Sequence, residues 1–90
     1  MISVNMVEAN VYQVVVQSDV ETTHRVSMSQ AYYRQLCDMT VTHEFVLIEA
    51  FKFLLLREPN TSILSAFDLA DINRYFPEFE AEIRAQLGAR

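Results

Sequence analysis

The sequence is poor in the residues that interrupt regular structure. Its 90 residues include one glycine and two prolines, so few tight turns with a positive φ angle are expected. The single cysteine, Cys37, leaves no partner for an intramolecular disulfide. Because 51% of the residues are hydrophobic and 21% are charged, the composition predicts one ordered, helix-rich domain over residues 1–90.

Positive charge is also scarce. Seven Lys and Arg against twelve Asp and Glu give a net charge of −5, and the basic residues do not cluster. Binding to a phosphate backbone needs several basic residues on one face, so no nucleic-acid partner is expected. The most apolar run, Phe45–Leu56, contains two charged residues and is shorter than the roughly 20 residues that cross a bilayer. With no signal-peptide pattern at Met1–Val11, we expect a cytoplasmic protein that does not enter the membrane.

The chain is organised around one apolar helix, which the sequence predicts over residues 43–57. Thr42 is a suitable N-cap, and Pro59 prevents the helix from continuing. At 100° per residue, Phe51 and its apolar neighbours lie in the middle of the buried arc. Phe45 and Leu56 fall on the polar side instead, where either another segment of the chain or a partner molecule would cover them.

The N-terminal third predicts an antiparallel β-hairpin. Asn10–Gln17 is dense in β-branched residues, and Glu21–Met28 alternates in polarity after a Ser-Asp turn. Met1–Ala9 has weak periodicity and is interpreted as an irregular start. The hairpin should pack on the central helix, and its outer edges stay open unless another element or a second copy covers them.

Helical pieces are predicted for the rest of the chain. A short helix capped by Ser27 or Ser29 extends to about Cys37. After Pro59, Asn60 or Ser62 caps one turn, Asp68 caps the next helix, and Pro77 occupies the first position of the last helix. Gly88 is placed to follow the last helix as its C′ residue. The predicted fold is therefore α+β, with the hairpin packed on three to five helices in the order ββαααα.

The second half of the chain resembles a small family of uncharacterised bacterial proteins. The resemblance rests on Leu55-Leu-Arg-Glu-Pro-Asn-Thr-Ser-Ile-Leu64, then Phe67-Asp-Leu69, then Tyr75-Phe-Pro-Glu-Phe-Glu80. It implies kinship with bacterial proteins of about this length and implies no activity.

Polar residues cluster in sequence after the central helix. An anion- or ligand-binding corner there would be enzyme-like, whereas helix capping and an Arg–carboxylate contact explain the same residues without a ligand. The residues of this candidate site are Arg57, Glu58, Asn60, Ser62 and Arg74.

Metal binding and catalysis have little support in the sequence. His24, Cys37 and His43 are the soft ligands, and their spacing does not match a zinc site. With its one glycine at position 88, the chain has no phosphate-binding loop. We therefore expect no metal, no cofactor and no catalytic residue. The leading hypothesis is a non-enzymatic module that either self-associates as a homodimer or binds another protein, with Phe45 and Leu56 at the interface. The alternative is the ligand-binding corner.

Overall fold

The computed structural model describes residues 1–88. Within these residues, four strands and four α-helices make up an α+β fold, as the sequence predicts. In chain order they are β1 (Ile2–Glu8), β2 (Val11–Val16), β3 (Thr22–Ser27), α1 (Gln30–Cys37), α2 (His43–Leu55), β4 (Ala66–Asp68), α3 (Ile72–Tyr75) and α4 (Phe79–Gln86), with 3-10 turns at Asn60–Ser62 and Leu69–Asp71.

The strands form one sheet in the order β1-β2-β3-β4. The first two pairings are antiparallel, and the short β4 runs parallel to β3. Ile2, Val4 and Met6 of β1 and the even-numbered residues of β2 and β3 lie on the same face, because Val4 is opposite Val14 and Val14 is opposite His24. A register shift between Met6 and Glu8 ends this alternation in β1. Each β-branched residue of β2 thus contributes either to the core face or to the outer face.

The helices cover the even-numbered face of the sheet. On it, Val14 and Val26 are fully buried, and the His24 ring lies 5.3 Å from the ring of Phe51 in α2. On the opposite face, Thr23 and Arg25 are exposed. The apolar side of α2 therefore packs against the strands, which confirms the predicted contact between hairpin and central helix.

The prediction of an irregular start at Met1–Ala9 is wrong. This segment forms β1, pairs along its length with β2, and turns at Asn10, whose φ is 62°. Asparagine tolerates that left-handed conformation better than most residues. The alternation of Ile2, Val4 and Met6 with polar residues has the period of a strand, and the pairing with β2 stabilises it.

Two of the predicted helix starts are confirmed by side-chain caps. Ser29 Oγ accepts a hydrogen bond from the Tyr32 N–H at 3.0 Å, and Thr42 Oγ1 accepts one from the Phe45 N–H at 3.1 Å. The central helix ends at Leu55 rather than at Arg57. At the other end of the chain, Gly88 has a φ of 74° after the last helix, as expected for a C′ glycine.

Other predicted helix starts need correction. Neither Asn60 nor Ser62 caps the turn after Pro59, since Asn60–Ser62 itself forms a 3-10 turn without a side-chain cap. The helix predicted after Asp68 is divided into a 3-10 turn and the single-turn α3. Pro77 lies in the turn before α4, which begins at Phe79.

Asp68 does act as a cap, and the prediction for its removal is specific. Its carboxylate accepts a hydrogen bond from the Ala70 N–H at 3.0 Å, and Asp71 completes a capping box. We expect Asp68→Ala to lower the free energy of unfolding by roughly 0.5–2 kcal/mol. Ser62→Ala is the control, because Ser62 is exposed and caps no helix, and it should change stability by less than about 0.5 kcal/mol in urea denaturation. Equal losses would contradict the cap assignment.

Helices α1 and α4 are joined by a hydrogen bond between the buried Tyr32 and the partly buried Glu80. The Tyr32 hydroxyl donates to Glu80 Oε2 at 3.0 Å. Burial, and then the contact with the Glu80 carboxylate, raise the pKa of Tyr32. The phenol therefore keeps its proton at neutral pH and remains a donor to Glu80.

Candidate functional site: the free edge of β1

The structure places the residues of the predicted ligand-binding corner in three different environments. Arg57 is engaged by the last helix: its guanidinium contacts Glu78 at 3.2 Å and Glu82 at 2.9 Å. The same group donates to the Phe53 carbonyl and lies 3.6 Å from the centre of the Phe53 ring. Because two carboxylates already neutralise Arg57, it joins the segment after α2 to the start of α4 and is not available to an anion.

Asn60 belongs to a buried hydrogen-bond network instead. Its side-chain amide donates to the Val20 carbonyl at 2.7 Å and to Thr22 Oγ1 at 2.9 Å. His24 Nδ1 lies 2.7 Å from the Leu64 carbonyl, and His24 Nε2 lies 2.9 Å from Thr22 Oγ1. A carbonyl oxygen can only accept, so Nδ1 carries the hydrogen and, in the neutral ring, Nε2 accepts from the Thr22 hydroxyl. The network ties the segment between α2 and β4 to β3.

Glu58 and Ser62 line an open groove of about 280 Å³. The other lining residues are apolar or aromatic, except for Asp71. Arg74 is not part of the lining: its side chain is largely exposed and lies 3.7 Å from Asp71. With two carboxylates and no basic side chain, the groove suits an apolar group with positive charge better than an anion.

The three candidate metal ligands each have other contacts within the protein. His24 is held in the buried network, while His43 stacks on Tyr33 with ring centroids 3.8 Å apart. The Cys37 thiol is buried and is directed at the Tyr33 carbonyl, 3.5 Å away. Within residues 1–88, no group of three or more His, Cys, Asp and Glu side chains could hold a metal ion.

The outer edge of β1 carries backbone N–H and C=O groups that no neighbouring strand among the described residues pairs with. Met1 and Gln17 exchange two backbone hydrogen bonds, of 2.8 and 2.9 Å. Because such pairs alternate along an antiparallel ladder, Ser3 and Asn5 also direct their backbone groups toward β2. The N–H and C=O groups of Ile2, Val4 and Met6 therefore point away from β2. β1 has no strand neighbour on that side among the described residues.

The same edge exposes apolar side chains. Met6 lies on the core face of the sheet and is still 66% exposed, and Met1 and Val7 are exposed as well. The one charged residue of β1, Glu8, lies at its end and is paired with Arg25 at 2.6 Å. Natural sheets protect such an edge with charge, proline, a β-bulge or a covering segment. Ile2–Val7 contains neither charge nor proline, and the register shift of β1 lies at its end, between Met6 and Glu8.

The two residues predicted to face a partner, Phe45 and Leu56, are both exposed, at 41% and 85%. No described segment of the chain covers them. They lie at opposite ends of α2, about 16 Å apart along the helix axis. Phe45 follows His43, which stacks on Tyr12, and Tyr12 is opposite Met6 in the sheet. Phe45 and Met6 are therefore at the same end of the layer formed by β1 and α2, and Leu56 is not.

Sequence reasoning did not find the residues that form this edge. The hairpin predicted from the sequence corresponds to β2 and β3, and each of these strands has another strand on its outer side. The edges predicted to be open are thus covered by β1 and in part by β4, so the outer edges of the sheet belong to β1 and to the three-residue β4, and β1 is the longer of the two. The alternation of Ile2, Val4 and Met6 is the signal that would have located it.

The chain is thus an α+β protein whose sheet has no strand beyond β1 among the described residues. Among protein-family models, curated proteins and solved structures, none matches this chain significantly. The predicted kinship with bacterial proteins accordingly stays a prediction. No helix within residues 1–88 combines the length and apolar character that a membrane crossing requires.

Proposed function

We propose that the protein is a non-enzymatic interaction module that self-associates through the free edge of β1. The observation that carries this proposal is the set of outward-pointing backbone groups on Ile2, Val4 and Met6, next to the exposed Met6 side chain. Addition of a strand at an open edge supplies backbone hydrogen bonds without any chemistry at a side chain.

The alternative, a small-ligand site, would lie in the groove that contains Glu58 and Ser62 rather than at the whole predicted corner. The carboxylates of Glu58 and Asp71 in this groove would repel the anionic ligand that the sequence suggested. The β1 edge is preferred because its residues have unmet backbone hydrogen-bonding capacity as well as exposed apolar surface.

A charge introduced at the edge tests the proposal. We expect Met6→Lys to weaken self-association about tenfold or more, since the partner would have to bury part of a solvated ammonium group. Val20→Lys is the matched control: Val20 is also an exposed apolar residue, 57% accessible, and lies between β2 and β3. Concentration-dependent light scattering measures both variants.

The folded state of each variant is checked by circular dichroism, because both side chains are exposed and the fold should persist. If Met6→Lys and Val20→Lys associate as strongly as the unmodified chain, the β1 edge is not the contact surface. If the unmodified chain is monomeric at every concentration, self-association itself is wrong.

A further inference from the structure

The geometry of β1 points to one particular partner and one register: a second copy of this chain, paired antiparallel with Val4 on the two-fold axis. This inference rests on the proposed function and specifies its contact. In this arrangement Val4 is opposite Val4 of the other copy, and Ile2 is opposite its Met6. The four-stranded sheets of the two protomers would join into one continuous sheet.

The direction of the backbone groups selects this register. Outward-pointing groups belong to Ile2, Val4 and Met6, as the pairing with β2 shows. In a two-fold antiparallel pair, hydrogen bonds form only where outward-pointing residues face one another. Centring on Val4 places all three of them opposite an outward-pointing residue. Centring on Ser3 leaves Met6 without such a partner, and centring on Asn5 places Ile2 opposite Glu8, which lies beyond the register shift that follows Met6. Val4 therefore gives the largest number of hydrogen bonds.

Side-chain chemistry agrees with this register. Ile2, Val4 and Met6 share the face of the sheet that carries the helices, and a two-fold axis perpendicular to the sheet keeps both helix layers on one side. The exposed Met6 of each copy would pack beside Ile2 of the other copy. This contact covers apolar surface that the protomer alone leaves in water.

The charges of the edge are compatible with a second copy. Ile2–Val7 carries no charge, although the chain has a net charge of −5. With Val4 on the axis, the two Glu8 residues lie at opposite ends of the paired strands, about 27 Å apart by strand rise. A dimer at this edge therefore brings no like charges of β1 face to face.

Cysteine cross-linking distinguishes the register from its neighbours. Ser3 and Asn5 are on the outer face of β1, and Ser3 of one copy is predicted to be opposite Asn5 of the other. This is a non-hydrogen-bonded pair, with a Cα separation of about 4.5 Å, within the range of a disulfide. Ser3 to Ser3 and Asn5 to Asn5 are diagonal neighbours at about 7–8 Å, at or beyond that range.

The experiment uses Ser3→Cys and Asn5→Cys variants, alone and mixed, under mild oxidation. Intact mass spectrometry identifies the disulfide dimers. The unmodified chain, whose Cys37 is buried, is the control. We expect the mixed disulfide between the Ser3→Cys and Asn5→Cys variants to exceed either homodimeric disulfide by at least about fivefold.

Each other outcome overturns a definite part of the inference. A dominant Ser3→Cys homodimer would place the axis at Ser3, and a dominant Asn5→Cys homodimer would place it at Asn5. If none of the samples cross-links while light scattering shows a dimer, self-association stands and the β1 contact is wrong. If light scattering shows a monomer, the proposed function fails together with the register.

Discussion

Replacing Phe51 by alanine is expected to lower the free energy of unfolding by about 3–5 kcal/mol. Phe51 is fully buried in α2, and its ring contacts His24 of β3 and Phe67 of β4, with centroids 5.3 and 6.1 Å away. Removing it opens a cavity between the helix and two strands. Since small domains are stabilised by only about 5–15 kcal/mol, this loss could unfold much of the population.

Phe45→Ala provides a control in the same helix. Phe45 is 41% exposed, so its removal should cost less than about 1 kcal/mol. Urea denaturation of both variants at one fixed protein concentration compares them, because self-association would make stability depend on concentration. Similar losses for Phe45 and Phe51 would contradict the assigned orientation of α2.

The second large effect is expected at His24. His24→Ala removes a ring packed on Phe51 and leaves the Leu64 carbonyl without its donor, which should cost on the order of 3 kcal/mol or more. His24→Phe keeps most of the ring volume and removes both nitrogen atoms. It should cost roughly 1–3 kcal/mol, the penalty for unpaired buried polar groups.

The comparison of the two His24 variants separates packing from hydrogen bonding. Thr23→Ala, one position away and on the exposed face of β3, is the control and should be nearly neutral. Thermal denaturation measures the variants. If His24→Phe is as stable as the unmodified chain, the network of Asn60, Thr22 and His24 does not stabilise the attachment of the segment between α2 and β4 to β3.

Sequence patterns predict the elements of this fold where a periodic signal is long or a cap is local. The presence of α2, its cap at Thr42 and the burial of Phe51 follow from spacing, although the helix ends at Leu55, two residues before the predicted end. β4 has three residues and is stabilised by pairing with β3, about forty positions earlier in the chain. A segment that short has no periodicity to recognise, so its existence depends on the tertiary structure.

The predicted ligand-binding corner shows why a cluster in sequence need not be a cluster in space. Arg57 is directed to Glu78 and Glu82, more than twenty residues further along, and Asn60 to Val20 and Thr22, about forty residues earlier. Such long-range partners have no signature in local spacing. The exposure of Phe45 and Leu56, by contrast, follows from their angle on the helix.

Sedimentation equilibrium of the unmodified chain, at several concentrations up to tens of micromolar, tests the central claim most directly. Self-association through β1 predicts a mass that rises from the 10.4 kDa of one chain to twice that value as concentration increases, and that falls again when Met6 is replaced by lysine. A mass of one chain at every concentration would contradict the claim.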